Sequence, residues 1–258
     1  MRTIAALTPR LLAGLAFTFS MSVQAANLVG TGGADVIIGA DDDNVDNPQV
    51  QNFDPPPNQS LNNTDIIRGL RGHDVLIGLL GNDTISGGAG RDVLIGGTEQ
   101  FVGPNSDLMF GGIGNDVNIW APGDGSDAFD GGIGHKDAQV FGVIDRDSYD
   151  VPILTPTWGA HKKTGLPSAD LTGSPGFCRI ERVEDPDFGF DFLVRFFVRA
   201  SGNQAVTVRL RDVEQVFCTS EAGGRITFAD LTHPYPYFVE VSRHDVAKLN
   251  YTVFKIVR

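Results

Sequence analysis

The chain has 258 residues, long enough for one large domain or two small ones, and its 41% hydrophobic content allows a packed core in part of it. Its 32 glycines follow no Gly-X-Y triplet, which excludes a collagen helix. Its 32 acidic residues against 20 Lys+Arg argue against a nucleic-acid partner, because phosphate binding needs a surface of the opposite sign.

Residues 1–25 read as a targeting segment. "MRTIAALTPR" carries Arg2 and Arg10 and no acid, "LLAGLAFTFSMSV" is apolar, and "VQA" at 23–25 supplies small residues for cleavage. This pattern predicts a secretory signal peptide cut after Ala25. The apolar run is shorter than the roughly 20 residues of a membrane span. No other long apolar stretch follows, so the expectation is a protein without a transmembrane segment, periplasmic, secreted or held at the cell surface. Beyond the signal, charge is divided unevenly. Residues 26–147 hold 19 acids and 5 bases, whereas residues 148–258 hold 13 of each. A cation is the natural partner of the first part.

That acidic part is built on a period of nine. "GLRGHDVLI" (69–77), "GLLGNDTIS" (78–86) and "GGAGRDVLI" (87–95) share Gly at positions 1 and 4, Asp at 6 and an aliphatic residue at 8. "GTGGADVII" (30–38) fits as well. "GGIGNDVNI" (111–119) places Asn118 at the aliphatic position, "PGDGSDAFD" (122–130) keeps Gly125, Asp127 and Phe129, and "GGIGHKDAQVF" (131–141) has one extra residue before Asp137. "NNTDIIR" (62–68) carries Asp65 without glycines. The pattern breaks at the acidic stretch 39–47, with Asp41, Asp42 and Asp43, and at a proline-rich interruption, 47–60. "GGTEQFVGPNSDLMF" (96–110) carries an insertion before Asp107.

Each nonamer divides into a glycine turn and a short strand with one inward side chain. A single aliphatic residue cannot bury itself, but two strands facing each other can. Two nonamers therefore make one coil, and stacked coils make a parallel two-sheet solenoid with Ile67, Leu76, Ile85, Leu94, Met109 and Phe129 inside. Turns alternate between two edges, so aspartates two repeats apart lie about one strand spacing, roughly 4.8 Å, from each other. Bare carboxylates at that separation repel, and a cation between successive turns reverses the sign. All-oxygen ligation by carboxylates and turn carbonyls suits Ca²⁺ better than Mg²⁺ or a transition metal.

These nonamers resemble the RTX (hemolysin-type) calcium-binding repeat over residues 30–141. The resemblance implies an all-β fold, a right-handed parallel β-roll with Ca²⁺ held between turns two repeats apart, and folding that waits for calcium. It maps ligands onto Asp65, Asp74, Asp83, Asp92, Asp107, Asp116, Asp127 and Asp137. Backbone carbonyls of the adjoining turns complete the set, through Gly69, Gly72, Gly78, Gly81, Gly87, Gly90, Gly111, Gly114 and Gly125. The pairs Asp65–Asp83, Asp74–Asp92, Asp83–Asp107, Asp92–Asp116, Asp107–Asp127 and Asp116–Asp137 give up to about six ions, with Asp35 and Asp41–Asp43 outlying. Six Ca²⁺ would nearly balance the acidic excess of residues 26–147. One departure is plain. RTX proteins are typically exported through an uncleaved C-terminal signal, whereas this chain has an N-terminal one and a basic end, "LNYTVFKIVR".

Residues 148–258 lose the period and gain aromatics. "FDFLVRFFVR" (190–199) and "AVTVRLR" (205–211) alternate as strands of a hairpin through "ASGNQ". "FCRIERV", "EQVFC", "RITFADL" and "NYTVFKIV" (250–257) read as further strands, and 155–176 as loop. The expectation is a small antiparallel sheet or sandwich that caps the roll. A Cys178–Cys218 disulfide would pin it, worth roughly 4 kcal/mol by chain entropy. No H-E-x-x-H, G-x-S-x-G, Walker or dinucleotide motif is present, and His73, His135, His161, His233 and His244 are scattered, so no enzyme is expected. Trp120 and Trp158 are expected to pack. "THPYPYF" (232–238) would pack on the sheet or, with Tyr235 and Tyr237 exposed, bind a cell-surface glycan or protein. The chain is expected to be a structural or adhesive calcium-binding protein, with a binding module or a small secreted hydrolase as alternatives.

Overall fold

The computed structural model describes residues 27–39, 64–79, 81–97, 106–147 and 151–258. The signal segment, Asp41–Asp43, the 47–60 interruption and the insertion before Asp107 lie outside the described residues.

The nonamers form β1 (Asn27–Val29), β2 (Val36–Ile38), β3 (Ile66–Gly72), β4 (Val75–Ile77), β5 (Thr84–Gly90), β6 (Val93–Ile95), β7 (Leu108–Gly114), β8 (Val117–Trp120), β9 (Ala128–Ile133) and β10 (Ala138–Phe141). Odd strands stack in parallel in a first sheet and even strands in a second. The inward residues are aligned: Ile67 pairs with Ile85, Ile85 with Met109, Met109 with Phe129, and Leu76 with Leu94. All six are fully buried in one cluster between the sheets. The expected coil and its interior are therefore present.

The outer faces of the two sheets differ. The first sheet alternates: Thr84 and Ser86 flank Ile85 and are partly exposed. The second sheet is buried on both faces, with Val75, Ile77, Val93, Ile95, Val117 and Ile119 in a separate apolar cluster. Covering it are Leu166, Ala169 and Leu171 and two helices, α1 (Arg243–Leu249) and α2 (Tyr251–Ile256). Positions 7 and 9 hold Val75, Ile77, Val93 and Ile95 on the covered second sheet against Thr84 and Ser86 on the first, although Leu108 and Phe110 of the first sheet are apolar as well.

Residues beyond the repeats form β11 (Val143–Ile144), β12 (Leu154–Thr155), β13 (Leu166–Pro167), β14 (Ala169–Asp170), β15 (Gly176–Arg182), β16 (Phe192–Val198), β17 (Gln204–Arg211), β18 (Gln215–Thr219), β19 (Ile226–Asp230) and β20 (Val239–Val241). The expected β16–β17 hairpin forms, antiparallel. β11 pairs with β14 and β12 with β13 in two small antiparallel sheets, but β15 to β20 do not make a sheet of their own. β17 joins β9 and β18 joins β10, both in parallel, so each roll sheet grows to eight strands. Phe192 and Phe196 continue the interior core, and Phe196 lies 4.7 Å from Trp120 between ring centroids. Cys178 on β15 and Cys218 on β18 are bridged, with Cα atoms 6.2 Å apart, so the disulfide ties the first sheet to the second.

The expected strand 250–257 is instead helical. Asn250 caps it by accepting from the Thr252 and Val253 amides, and Val253 and Ile256 bury one side of the turn on the second sheet. The preceding helix starts at a Ser242–Asp245 capping box. Burial of a helical face outweighs the β preference of a Thr-Val-Phe run.

Candidate metal centre

The eight repeat aspartates sit where turn meets strand, and none is more than 1% exposed. Turns leading from first sheet to second form one edge, with Asp35, Asp74, Asp92, Asp116 and Asp137. Turns leading back form the other, with Asp65, Asp83, Asp107 and Asp127. Along the first edge the Asp74 amide donates to Asp92 Oδ1 at 2.9 Å, Asp92 to Asp116 at 2.8 Å, and Asp116 to Asp137 at 2.6 Å. Along the second, Asp65 donates to Asp83 at 2.7 Å, Asp83 to Asp107 at 2.8 Å, and Asp107 to Asp127 at 3.0 Å. These rungs are the six pairs expected from spacing. The extra residues before Asp107 and Asp137 leave the register intact.

One carboxylate oxygen per residue serves the ladder. The other, Oδ2, is buried without a hydrogen-bond partner in Asp74, Asp92, Asp116 and Asp137. Glycine at position 1 leaves room beside it. A methyl group on Gly87 would stand 2.6 Å from Asp92 Oδ2 and 2.7 Å from the Gly111 carbonyl oxygen. On Gly111 it would stand 2.7 Å from Asp116 Oδ2 and 2.8 Å from the Gly131 carbonyl oxygen. Gly69 and Gly78 face the same pair of groups, a carboxylate and the carbonyl of the next coil. Position 1 is therefore glycine for close approach. Position 4 is glycine for backbone angle, with φ of 142° at Gly72 and 134° at Gly81. Position 2 also needs positive φ, and two leucines meet that need at a cost: Leu70 at 76° and Leu79 at 74°.

Burial disfavours the charged carboxylates. It pushes Asp116 up to about 8, with the Asp92 and Asp137 carboxylates adding to the effect. Asp74 and Asp137 are pushed up to about 7 and Asp92 to about 6, in each case chiefly by burial. Asp127, the last rung of the second edge, rises to about 6 by burial, and the Arg209 guanidinium pulls it back. Among the described residues no three His, Cys, Asp or Glu side chains converge. An ion held here must take ligands from the backbone, and carbonyl oxygens such as those of Gly111 and Gly131 stand beside the orphaned Oδ2 atoms. This donor set is all oxygen and fits a hard cation.

The column ends are specialised. Asp35 continues the first edge, its amide donating to Asp74 Oδ1 at 2.8 Å, but its own Oδ2 is taken by the Thr31 amide and hydroxyl. At the far end the Asp137 amide donates to Glu214 Oε2 at 2.8 Å. Sequence reasoning missed Glu214 because no glycine accompanies it; the available signal was an acid directly before the apolar strand "QVF". Gly125 departs from the other turn glycines, since its carbonyl accepts from Trp120 Nε1 at 3.0 Å.

The variable fifth position also contributes. Asn82 Oδ1 accepts from the Ser106 amide, and His73 Nδ1 from the Arg91 amide, both at 2.9 Å. His73 is partly buried, and its ring lies 6.0 Å from that of the buried His161. Burial drives His161 down to about 4, helped by His73 and Lys255. Helix α2 reaches the same edge, where Asn250 Nδ2 donates to the Lys136 carbonyl at 3.0 Å. Trp120 packs in the core as expected, whereas Trp158 is 65% exposed, bonded through Nε1 to the Tyr251 hydroxyl.

The family model described as RTX calcium-binding nonapeptide repeat matches four copies, in residues 26–45 and 61–98. No curated protein matches the chain. The same ladder runs beyond the matched segment to Asp137. Residues 26–45 and 61–98 thus carry RTX calcium-binding nonapeptide repeats, a repeat type that binds Ca²⁺.

Proposed function

We propose that this chain is an exported, non-catalytic scaffold whose roll folds around Ca²⁺. Asp65, Asp74, Asp83, Asp92, Asp107, Asp116, Asp127 and Asp137 hold the ions with carbonyls of the adjoining glycine turns, up to six in number. Ca²⁺ supplies the positive charge that lets buried carboxylates stack. The observation that carries this reading is the column of four buried, unpartnered Oδ2 atoms on one edge. Two unit charges about 5 Å apart repel by roughly 3 kcal/mol at an effective dielectric near 20. A column of such contacts rivals the whole stability of a domain, about 5–15 kcal/mol. The apo roll is therefore marginal and the loaded roll rigid. Millimolar extracellular calcium is the condition that such sites are suited to.

The test is far-UV circular dichroism of the chain from residue 26, stripped with EDTA and titrated with Ca²⁺, with Mg²⁺ as control. A cooperative gain in β signal with Ca²⁺ alone is expected. A spectrum indifferent to both ions would overturn the reading.

A second reading, a glycan- or protein-binding module in residues 148–258, is favoured by one observation: Tyr235 and Tyr237 are 83% and 67% exposed beside prolines instead of packing on the sheet. Retention of the loaded protein on polysaccharide or cells, lost on replacing both tyrosines with alanine, would support it. Equal retention of the variant would count against it.

A further inference from the structure

The repeat columns end at Asp137, yet the stack continues by one coil. β17 and β18 take the places of the next two repeat strands, and Asp212-Val213-Glu214 replaces the glycine turn between them. The substitution keeps the backbone hydrogen bond by which each repeat strand starts. In the repeats the Ala138 amide donates to the Asp116 carbonyl at 2.9 Å; here the Gln215 amide donates to the Asp137 carbonyl at 3.0 Å. Glu214 Oε2 accepts from the Asp137 amide as each repeat Oδ1 accepts from the aspartate before it. The carbonyl oxygen of Asp212 faces Gly131, where the repeats present the next glycine carbonyl. Asp212 reaches this place with φ of 51°, in the left-handed region that the repeats also use. A turn shorter than the repeat turn is matched by a side chain longer by one methylene.

We propose that this junction is a further Ca²⁺ site, formed by the Asp137 carboxylate, the Asp212 carbonyl and the Glu214 carboxylate. It rests on the reading of the roll as a Ca²⁺ scaffold and extends it to residues outside the repeat. Asp137 is fully buried, and its Oδ2 has no hydrogen-bond partner. The surroundings are short of positive charge. Asp137 feels the charges of Glu214, Asp130 and Asp212, Asp212 feels those of Asp130 and Asp191, and Arg211 is engaged with Asp130. The second edge closes differently, with the Arg209 guanidinium near Asp127 and bonded to the Ser126 carbonyl at 3.0 Å. One column thus ends on the protein's own cation and the other on a carboxylate. A cation at the junction joins β10 to β18, and so makes docking of residues 148–258 calcium-dependent.

Glu214→Gln tests the site, because an amide oxygen still accepts from the Asp137 amide while the charge is lost. Bound Ca²⁺ is counted by native mass spectrometry on the unaltered chain, on Glu214→Gln and on Asp92→Asn. The expected result is one ion fewer in Glu214→Gln than in the unaltered chain. An equal count in those two overturns the junction site and leaves the roll reading standing. No ion in the unaltered chain sinks the roll reading itself. Hydrogen exchange on the unaltered chain guards against a misfolded variant. Protection of the Gln215–Thr219 amides should rise with Ca²⁺, and equal protection in EDTA and Ca²⁺ overturns the site.

Discussion

The two edges of the roll are made from the same nonamer and end in different company. The first edge carries Asp74, Asp92, Asp116 and Asp137, ends on Glu214, and has α2 docked against it through Asn250. The second carries Asp65, Asp83, Asp107 and Asp127 and ends beside Arg209. The repeat alone does not determine how much positive charge a column must borrow. The residues that close it do, and here they come from the part of the chain without repeats.

The largest expected effect that separates the edges is on pH. Carboxyls at about 8 for Asp116, about 7 for Asp74 and Asp137 and about 6 for Asp92 bind protons more tightly folded than unfolded. Stability of the calcium-free roll is then full below the unfolded value near 4 and is lost as pH rises to about 8. Each tenfold gain in proton affinity on folding corresponds to about 1.4 kcal/mol, so the loss reaches several kcal/mol. Urea midpoints in EDTA should fall steadily from pH 5 to pH 8. In saturating Ca²⁺ the trend should reverse, since protons compete with the ion. A flat profile in EDTA would show that the first-edge carboxylates are neutralised within the protein.

Gly87→Ala is the next largest. Its methyl would enter the space between Asp92 Oδ2 and the Gly111 carbonyl, and overpacking of this kind costs about 1–3 kcal/mol. Calcium affinity should fall with it. Gly32→Ala, which meets nothing within 4 Å, is the control and should leave the calcium titration unchanged.

Arg209→Gln removes the second edge's own cation. The melting temperature in EDTA should drop by a few degrees, equivalent to about 1 kcal/mol, and the deficit should shrink as Ca²⁺ is added. If the variant melts with the parent in EDTA, Arg209 does not neutralise Asp127. The smallest effect is at position 2. Leu70 is 46% exposed with a left-handed backbone, so Leu70→Gly should raise stability slightly, by about 0.5 kcal/mol, read as a small rise in melting temperature. Leu79 has the same backbone but is buried in the outer cluster, so Leu79→Gly should lower stability by about 2 kcal/mol.

The roll is legible in the sequence because its signal is redundant. Gly72, Asp74 and Leu76 each recur, and pairing each turn with the one two repeats on gives the six carboxylate pairs. Glu214 is hidden because it does the work of a repeat aspartate without the glycines that mark one. The covered face of the second sheet is visible in Val75 and Ile77 against Thr84 and Ser86, but only when alternate nonamers are compared. The helices are obscured by "NYTVFKIV", whose β-branched and aromatic residues favour a strand in isolation. The Ser242–Asp245 capping box is the local signal for helix, and burial of Val246, Val253 and Ile256 decides the matter in three dimensions. Trp158 stands exposed where packing is expected, and nothing local distinguishes it from Trp120.

The Cys178–Cys218 bridge has a mechanical consequence. Pulled by its ends, a stack of coils peels one turn at a time. Successive rungs such as Asp74 and Asp92 lie 18 residues apart, which is roughly 60 Å of chain per coil at about 3.3–3.6 Å per residue. The bridge lies behind the last coil and joins residues 40 positions apart. Those residues add almost no length to a stretched chain. Under such a load the roll would lengthen in steps of one coil from its N-terminal end and stop at a covalent clasp.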